Sequence, residues 1–428
     1  MKLLIKNGNL IDPVLGTERI SDILIEDGQI LCIAPDLSDA DAQVLDASGL
    51  CVSAGLIDIH VHFRDPGLTH KEDIISGSWA AARGGFTTVT CMPNTKPVLD
   101  TPEWMAYVYA RSAEGSGVNV LPIGAVSVGE KGEVLTDAKA LKEAGAVALS
   151  DDGVPVMDAN LMRDALICAS RQDLVVLSHC EDAEMVKNYA VNEGRVSRQL
   201  GIPGRPAIAE EIMVMRDAML AEESQTAVHI CHISTGKAVD IVRRYKKKGV
   251  RITCETCPQY FTMTHAEILE QGAMARVNPP LRNTRDRDAI LAAVKDGTID
   301  CIVTDHAPHS LEEKAKGLVD APSGMVGLET SLAVTLTSLY HSGQMSLPEI
   351  IAKMTVNPAR ILGLAKGSLA VGCDADLTIF DPDEEWVVDA SKFASKGRNT
   401  PFNGKTLKGK VKYTVVSGKI IYQDGGEN

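Results

Sequence analysis

The sequence predicts an α/β fold: a (β/α)8 TIM-type barrel with a small β-domain that the N- and C-terminal segments build together. Three observations lead to this prediction. Strand-like runs alternate with helical patterns through the middle of the 428-residue chain, short strand-like runs with turn signals occupy both ends, and polar side chains follow the central strands. Alternation of this kind is typical of parallel βαβ units.

The predicted barrel depends on eight apolar, β-branched runs. They lie at residues 56–59, 87–91, 118–123, 146–149, 174–177, 227–231, 251–254 and 299–303. Helical patterns occur between them at residues 74–83, 159–171, 207–222, 237–248 and 285–295. Eight such units over ~310 residues fit one barrel. The alternative is a doubly wound open sheet, which requires a glycine-rich fingerprint after its first strand. The sequence has none there.

Both ends of the chain contribute short predicted strands. These are residues 3–5, 23–26 and 30–33 near the N-terminus, and residues 377–380, 411–416 and 419–422 near the C-terminus. Asp27-Gly28 and Ser417-Gly418 are typical of tight turns between paired strands. Neither end alone offers enough strands for a stable sheet. We therefore predict one composite β-domain from residues 1–53 and 366–428, beside a barrel of residues 54–365.

The composition excludes several classes of function. The formal net charge of −14 argues against nucleic acid as a partner, because phosphate binding requires a positive field. No apolar run approaches the ~18 residues of a membrane span. Ten scattered cysteines predict reduced thiols and a cytoplasmic location. The C-x-x-C segment Cys254-Glu255-Thr256-Cys257 has no second such pair, so we interpret it as a strand end and not as a zinc or redox site.

Histidine and aspartate residues follow five of the eight predicted strands. They are His60 and His62 after the first strand, Asp151 and Asp152 after the fourth, His179 after the fifth, His232 after the sixth, and Asp305 and His306 after the eighth. In a barrel all these ends face one mouth, where active sites lie. Residues i and i+2 of a strand point to the same side, so the first pair can hold one ion. Imidazole with carboxylate is a ligand set for zinc.

The number of these side chains indicates two metal ions. Four of these histidines and two of the aspartates would exceed the ligands of one zinc ion, but they suit two ions that share a bridging carboxylate and lower the pKa of a shared water. They are His60, His62, His179 and His232, with Asp305 and one aspartate of the fourth strand. Asp152 is the preferred bridge. Asp151 is the alternative, and its other role would be a supporting or solvent contact.

The segment His60-Val61-His62-Phe63-Arg64-Asp65-Pro66-Gly67 resembles the H-V-H-x-R-[DE]-P-G signature of dihydroorotases, members of the amidohydrolase superfamily. The resemblance spans the whole chain and includes Met92-Pro93-Asn94-Thr95, Ser150-Asp151-Asp152-Gly153, Asn278-Pro279-Pro280-Leu281-Arg282 and Thr304-Asp305-His306-Ala307-Pro308-His309. It is closest to the bacterial type with an aspartate ligand at the fourth strand, where relatives use a carboxylated lysine. Residues 146–153 contain no lysine, which agrees.

The resemblance implies a reaction, a cofactor and a set of metal ligands. The reaction is the reversible cyclisation of N-carbamoyl-L-aspartate to L-dihydroorotate in de novo pyrimidine (UMP) biosynthesis. The cofactor is Zn²⁺, with two ions in each subunit. One ion would be held by His60, His62 and Asp305, the other by His179 and His232, with Asp152 as the bridge. Asp305 would also be the catalytic proton shuttle.

The resemblance also implies contacts with the substrate. Arg64 offers a planar fork for the carboxylate outside the ring, Asn94 can add a donor, and His309 contacts the same carboxylate. Asn278 contacts the ring, and His62 lies beside the substrate as well as the metal. One loop departs from the family pattern: Pro322-Ser323-Gly324 stands where many bacterial members have Pro-Phe-Gly. Contacts from Ser323 and Gly324 are expected mainly from the backbone, so serine should be tolerated.

The charged segment of residues 310–320 follows the eighth strand. Its Glu312, Glu313, Lys314 and Lys316 are typical of a solvated loop or short helix over the mouth, and the segment is a candidate lid.

Three other functions compete with this interpretation. Another cyclic amidohydrolase, such as an allantoinase or hydantoinase, would share the fold, but Arg64, Asn94 and the fourth-strand aspartate argue against it. A non-enzymatic scaffold would have lost metal ligands, whereas every expected ligand is present. A metal-storage or sensor protein would not need Arg64, Asn94 and His309 beside the metals. By resemblance we also expect a homodimer and, as in some relatives, aspartate carbamoyltransferase as a partner.

Overall fold

A computed structural model describes residues 2–426 of the chain, and its centre is a closed barrel of parallel strands. The barrel strands, first to eighth, are Leu56–Val61, Phe86–Cys91, Asn119–Pro122 with Gly124–Ala125, Leu149–Ser150, Val176–Ser178, Val228–Ile230, Ile252–Thr256 and Cys301–Ile302. Each pairs in parallel with the next. The ring closes where the backbone N–H of His62 donates to the carbonyl of His306 at 2.9 Å. The predicted (β/α)8 fold class is confirmed.

Asp58 fastens the first strand to the last one. One of its carboxylate oxygens accepts the backbone N–H of His60 at 3.0 Å, and the other accepts that of Thr304 at 3.1 Å. The side chain is fully buried, and this burial raises its pKa to about 7. The strand ends that carry His60 and Asp305 are thereby held side by side.

Helices cover the outside of the barrel and connect its strands. They are Ile74–Arg83, Pro102–Ala113, Ala138–Glu143, Ala159–Ser170, Ala183–Val186, Arg195–Leu200, Ile208–Ser224, Gly236–Lys247, Pro258–Thr262, Glu267–Gln271, Thr284–Lys295, Leu311–Lys314, Ser331–Thr335, Leu347–Met354 and Val356–Leu362. Short helical turns lie at Val128–Glu130, Gly272–Ala275, Leu336–Tyr340 and Ala390–Lys392. The five predicted helices begin and end within two residues of those observed.

The fourth barrel strand is shorter and later than predicted. It was expected at residues 146–149 and lies at Leu149–Ser150. Val147 still donates to the carbonyl of Pro122 at 3.1 Å, so this part of the chain contacts its neighbour without a continuous ladder. A two-stranded ribbon of Val191–Asn192 and Gly204–Arg205 stands outside the barrel.

Both ends of the chain form one sheet. In order, its main strands within the described residues are Lys419–Gln423, Thr406–Val416, Leu377–Val387, Cys51–Ala54, Lys2–Asp12, Thr17–Glu26 and Gln29–Ala34, and Gln43–Asp46 pairs with Lys2–Asp12. The expected turns at Asp27-Gly28 and Ser417-Gly418 have positive φ at both residues, which a tight hairpin requires. The composite β-domain is therefore present, while its boundaries at 53/54 and 365/366 stay a prediction.

The sheet has an apolar core of its own, with Leu3, Ile5, Ile25, Val52 and Ile379 among its members. Across residues 2–426, we find no helix long and apolar enough to span a membrane. The cysteines of the C-x-x-C segment are free and buried: Cys254 lies in the seventh barrel strand, and Cys257 follows it.

Candidate metal centre

Imidazole and carboxylate atoms converge at the mouth of the barrel. From the first strand, His62 Nε2 lies 3.1 Å from Asp305 Oδ1 and 3.4 Å from Asp152 Oδ2. His60 Nε2 lies 3.5 Å from Asp152 Oδ1 and 3.7 Å from Asp305 Oδ1. We call His60, His62 and Asp305 the first half-site.

A second group meets the same aspartate from the fifth and sixth strands. Asp152 Oδ1 lies 3.5 Å from His179 Nδ1 and 3.4 Å from His232 Nε2, and these two nitrogens are 2.9 Å apart. We call His179 and His232 the second half-site. Asp152 stands between the half-sites, with one oxygen toward His62 and the other toward the remaining histidines.

These residues fit two divalent cations. In the described part of the chain, His60 Nε2 and Asp152 Oδ1 are buried without a hydrogen-bond partner, which is costly unless something else binds them. His60, His62 and Asp305 place ligand atoms within 4.8 Å of one another, and so do Asp152, His179 and His232. Imidazole nitrogens and carboxylate oxygens are suitable donors for ions such as zinc.

The electrostatics of the cluster also favour cations. Burial alone would lower the pKa of His60, but Asp152 and Glu255 raise it well above its ordinary value. Burial alone would raise the pKa of Asp152, but His60, His179 and His232 hold it well below its ordinary value. Asp152 therefore stays ionised and attracts positive charge into the mouth.

The backbone is strained at three site residues. Arg64, His232 and Asp305 have φ values of 59°, 31° and 50°, in the left-handed region that side chains other than glycine rarely adopt. Such strain accumulates where surrounding structure holds a functional side chain in place. All three follow barrel strands, where the chain turns out of the barrel wall.

Asp151 does not face the cluster. Its carboxylate accepts the backbone N–H groups of Val126 and Ser127 at 2.8 Å and 3.1 Å, and the Ser127 hydroxyl. Burial raises its pKa to about 6. Asp151 therefore braces the third strand against the fourth, while Asp152 points into the mouth.

Arg64 and Lys71 both lie 3.5 Å from the ring of His309, and we call these three residues the positively charged corner of the mouth. The Nε of Arg64 is buried without a hydrogen-bond partner, and no carboxylate among residues 2–426 forms an ion pair with its guanidinium. Burial lowers its pKa to about 10. His309 Nε2 donates to the Ser323 carbonyl at 2.8 Å, so its Nδ1 is free to accept from Lys71 at 3.5 Å. This corner can receive an anion.

Asn94 contacts the metal-ligand residues directly. Its Oδ1 accepts from His62 Nδ1 at 2.9 Å, and its Nδ2 donates to the Asp152 carbonyl at 3.1 Å. The first contact leaves the His62 Nε2 lone pair facing Asp305. From the sequence, Asn94 was expected to donate a hydrogen bond to the substrate. The geometry adds a second role, because Asn94 orients the imidazole of His62.

The remaining expected substrate contacts lie around this mouth. Asn278 Nδ2 is 3.5 Å from His179 Nε2, and Arg205 donates to the Asn278 Oδ1. Ser323 and Gly324 are tied to one residue: Arg276 Nε donates to Ser323 Oγ at 3.2 Å, and the Gly324 N–H donates to the Arg276 carbonyl at 2.9 Å. The Gly324 N–H is therefore already engaged, and the Ser323 carbonyl contacts His309.

The prediction that Lys314 is solvated is wrong. Leu311–Lys314 does form a short helix, but the Lys314 side chain is buried. Its ammonium donates to the carbonyls of Ala273, Arg276 and Pro322 at 3.0, 3.3 and 2.9 Å. Burial lowers its pKa to about 7. Lys314 thus anchors the short helix to these three carbonyls. Glu312 and Lys316 are exposed, as expected.

His306 points away from the metal ligands. Its Nδ1 accepts the Gly327 N–H at 3.2 Å, and its Nε2 lies 3.3 Å from Glu72 Oε2. Glu72 also accepts the backbone N–H of Lys396 at 3.1 Å. His306 therefore joins the barrel to the C-terminal segment.

Sequence reasoning missed three carboxylates around the centre. Glu255 contacts His60, Glu181 lies 3.6 Å from His179 Nε2, and Asp58 closes the barrel. Asp58 stands within an apolar predicted strand, and a charged residue in such a run was the available signal. Glu255 directly follows the predicted strand of residues 251–254, which the structure extends to Thr256.

Comparisons with known proteins agree with this geometry. The sequence model of a family described as Dihydro-orotase-like matches residues 49–238. A dihydroorotase of Pelotomaculum thermopropionicum is 50% identical over 99% of both chains, and one of Ruminiclostridium cellulolyticum is 49% identical over 98% of both. Among solved structures, an L-hydantoinase from Arthrobacter aurescens aligns with a TM-score of 0.90 and 27% identity, covering 100% of this chain and 97% of its own. At half identity over nearly its whole length with curated dihydroorotases, the chain belongs to the dihydroorotase family.

Proposed function

We propose that the protein binds two zinc ions and interconverts N-carbamoyl-L-aspartate and L-dihydroorotate, a step of de novo pyrimidine biosynthesis. The observation that carries this proposal is the pairing of two features. A buried cluster of imidazole and carboxylate groups, in which His60 Nε2 and Asp152 Oδ1 lack hydrogen-bond partners, lies next to Arg64, which pairs with no carboxylate among residues 2–426. The first suits divalent ions, and the second suits an anionic substrate. The relatives named dihydroorotase support the choice of substrate.

The ligand assignment follows the two half-sites. His60, His62 and Asp305 would hold the first ion, His179 and His232 the second, and Asp152 would touch both. When bound, the ions would activate a water molecule and polarise the carbonyl oxygen of the cyclic amide.

Asp305 is the proton carrier in this proposal. As water adds to the ring carbonyl, Asp305 accepts one of the two water protons, and it donates this proton to the ring nitrogen when the C–N bond breaks. The other water proton is then lost from the new carboxyl group to Asp305. Ring closure reverses these steps: Asp305 starts protonated and gives its proton to the carboxylate, the carbamoyl nitrogen forms the C–N bond and loses a proton to Asp305, and this second proton leaves with the oxygen as water. Closure therefore consumes one proton overall, so lower pH favours dihydroorotate and higher pH favours the open form.

Substrate selection is assigned to the positively charged corner. Arg64 would bind the carboxylate outside the ring through two parallel hydrogen bonds. His309 and the backbone of Ser323 and Gly324 would line the same corner, Asn94 would hold His62 beside the substrate, and Asn278 would contact the ring.

The test follows both directions of the reaction before and after chelation, with dihydroorotate, allantoin and hydantoin compared. We expect turnover of dihydroorotate that chelation removes and zinc restores. Elemental analysis of His60→Ala and His179→Ala should show loss of zinc from each. Preference for hydantoin or allantoin, or full zinc content in both variants, would contradict the proposal.

Assembly remains a prediction from the resemblance, and location remains a prediction from the scattered cysteines. We propose a cytoplasmic homodimer that can bind aspartate carbamoyltransferase. Light scattering of the purified protein measures the first property, and mixing with the purified partner measures the second.

A further inference from the structure

Glu255 is a buried carboxylate that none of the assigned roles uses. It lies in the seventh barrel strand, inside the C-x-x-C segment, and is fully buried. Its Oε1 is 2.5 Å from His60 Nδ1, and its Oε2 is 3.1 Å from His229 Nε2. The backbone N–H of His232 also donates to Oε1, at 3.3 Å.

Among the described residues, imidazoles are the only basic side chains that contact the carboxylate of Glu255. Within residues 2–426, its ion-pair partners are His60 and His229, and no lysine or arginine contacts it. Burial of an ionised carboxylate without a cation is costly. A cation bound on the far side of His60 would offset this cost.

We propose that Glu255 is the positioning residue of the first half-site, fixing the tautomer of His60 and supplying negative charge behind it. This inference rests on the proposed two-metal function. His60 donates its Nδ1 proton to Glu255, so the Nε2 lone pair faces Asp152 and Asp305. A carboxylate behind a metal-binding histidine raises the basicity of the ligand and fixes its ring.

His229 extends this support away from the mouth. Its Nε2 proton goes to Glu255, so its Nδ1 is an acceptor and takes the Thr253 hydroxyl at 2.8 Å. The two residues pair across adjacent strands. The chain from Thr253 through His229 to Glu255 thus keeps the carboxylate aimed at His60.

The second half-site has a weaker counterpart. Glu181 Oε2 lies 3.6 Å from His179 Nε2, beyond hydrogen-bond distance, and the same oxygen accepts from Arg205 at 2.7 Å. Arg205 neutralises much of this charge. Glu181 is therefore a matched comparison for Glu255. It lies behind a histidine in a similar way, but Arg205 shares its charge.

The first test measures zinc affinity by competition with a chelator, in the intact protein. Glu255→Gln keeps the shape but removes the charge, and we expect the first half-site to bind zinc about 10- to 100-fold more weakly. Glu181→Gln should lose less. Glu329→Gln removes a mostly buried carboxylate that contacts Arg83 and the 394–395 backbone, and it should change nothing.

Three results would overturn the inference. They are wild-type zinc affinity in Glu255→Gln, an equal loss in Glu329→Gln, or a third equivalent of zinc that Glu255→Gln abolishes. The last would make Glu255, with His229 and Cys301, a ligand of its own ion. If the wild-type protein binds no metal, the proposed function fails; if it binds two ions and Glu255→Gln does too with equal affinity, only the role of Glu255 fails.

A second measurement needs no variant of Glu255. Nitrogen NMR of wild-type protein carrying ¹⁵N-histidine reports which ring nitrogen bears the proton, and the His60 signal is identified by its absence in His60→Gln. We expect a protonated Nδ1 with a strongly downfield proton, as a short charge-assisted hydrogen bond gives. An unprotonated Nδ1 in the zinc-loaded protein would overturn the proposal even if Glu255→Gln does not fold.

Discussion

The composite sheet and the barrel mouth are built by opposite means. The sheet pairs its strands in regular ladders around an apolar core, and its positive φ values fall largely at turns. The mouth buries charged and unpaired polar atoms and holds Arg64, His232 and Asp305 in strained backbone. Residues of the sheet should therefore control stability with little effect on catalysis, and residues of the mouth should do the reverse. Four predictions test this division.

The largest effect is expected from Asp305→Asn. The amide keeps the size of the side chain but cannot accept and return the proton, so both directions should slow by about 10²- to 10⁴-fold or more. Initial rates of ring opening and closure measure this, with zinc content determined on the same samples. If the variant keeps its zinc and turns over normally, Asp305 does not carry the proton.

Arg64→Lys should follow in size. Lysine keeps the charge but loses the planar fork, so kcat/KM for dihydroorotate should fall by about 10- to 200-fold, a loss of about 1.5 to 3 kcal/mol. Zinc content and the free energy of unfolding should stay the same. Steady-state kinetics on a zinc-loaded sample provide the measurement, and unchanged kinetics would remove Arg64 from the site.

Ile379→Ala tests the other region. Ile379 is fully buried in the core of the sheet, so its truncation should lower the free energy of unfolding by about 2 to 5 kcal/mol. Activity per folded molecule should not change. Val387→Ala, at an exposed position of the same strand, is the control and should stay within about 0.5 kcal/mol of the wild type. A lower kcat for folded Ile379→Ala would contradict the expectation that residues of the sheet affect stability and not catalysis.

The smallest effect concerns Lys314, which stands beneath the mouth. Its pKa is about 7 in the folded protein and 10.5 ordinarily, so between these values the unfolded chain binds the extra proton. The free energy of unfolding should therefore rise with pH in this window, relative to Lys314→Met, by about 1 to 3 kcal/mol from pH 7 to 9. Urea titrations at both pH values give the comparison. Lys316→Met, at an exposed position, should show no such trend, and a constant difference for Lys314→Met would contradict the prediction.

The helices, most of the strands and the convergence of the candidate metal-binding side chains could be predicted because each depends on a short-range pattern. His60 and His62 share one side of a strand, and barrel topology brings every strand end to one face. The choice between Asp151 and Asp152 could not be made from adjacent residues alone. The choice depends on which of the two carboxylates accepts the backbone N–H groups of Val126 and Ser127, directly after the third strand. That carboxylate belongs to Asp151, so Asp152 is the one that faces the mouth.

The features that could not be predicted depend on contacts between residues far apart in the sequence. Glu255 lies 195 residues from His60 along the chain, so no local pattern pairs them. Lys314 stands in a charged run that is typical of solvated loops, but it is surrounded by three carbonyls, two from residues 273–276 and one from Pro322. Burial of a charge is decided by such contacts, which the residue's own neighbours in sequence do not reveal.

Closure of the barrel between its first and last strands has a consequence for protein synthesis. His62 and Asp305, which meet at 3.1 Å, are separated by 243 residues. At ribosomal speeds of about 5 to 20 residues per second, roughly 12 to 50 seconds pass between the emergence of one and of the other. During this interval the nascent chain carries a pair of histidines without their aspartate. The first half-site can therefore be completed only after Asp305 has emerged, so any metal ion that needs all three side chains binds after the barrel strands that precede Asp305 have been synthesised.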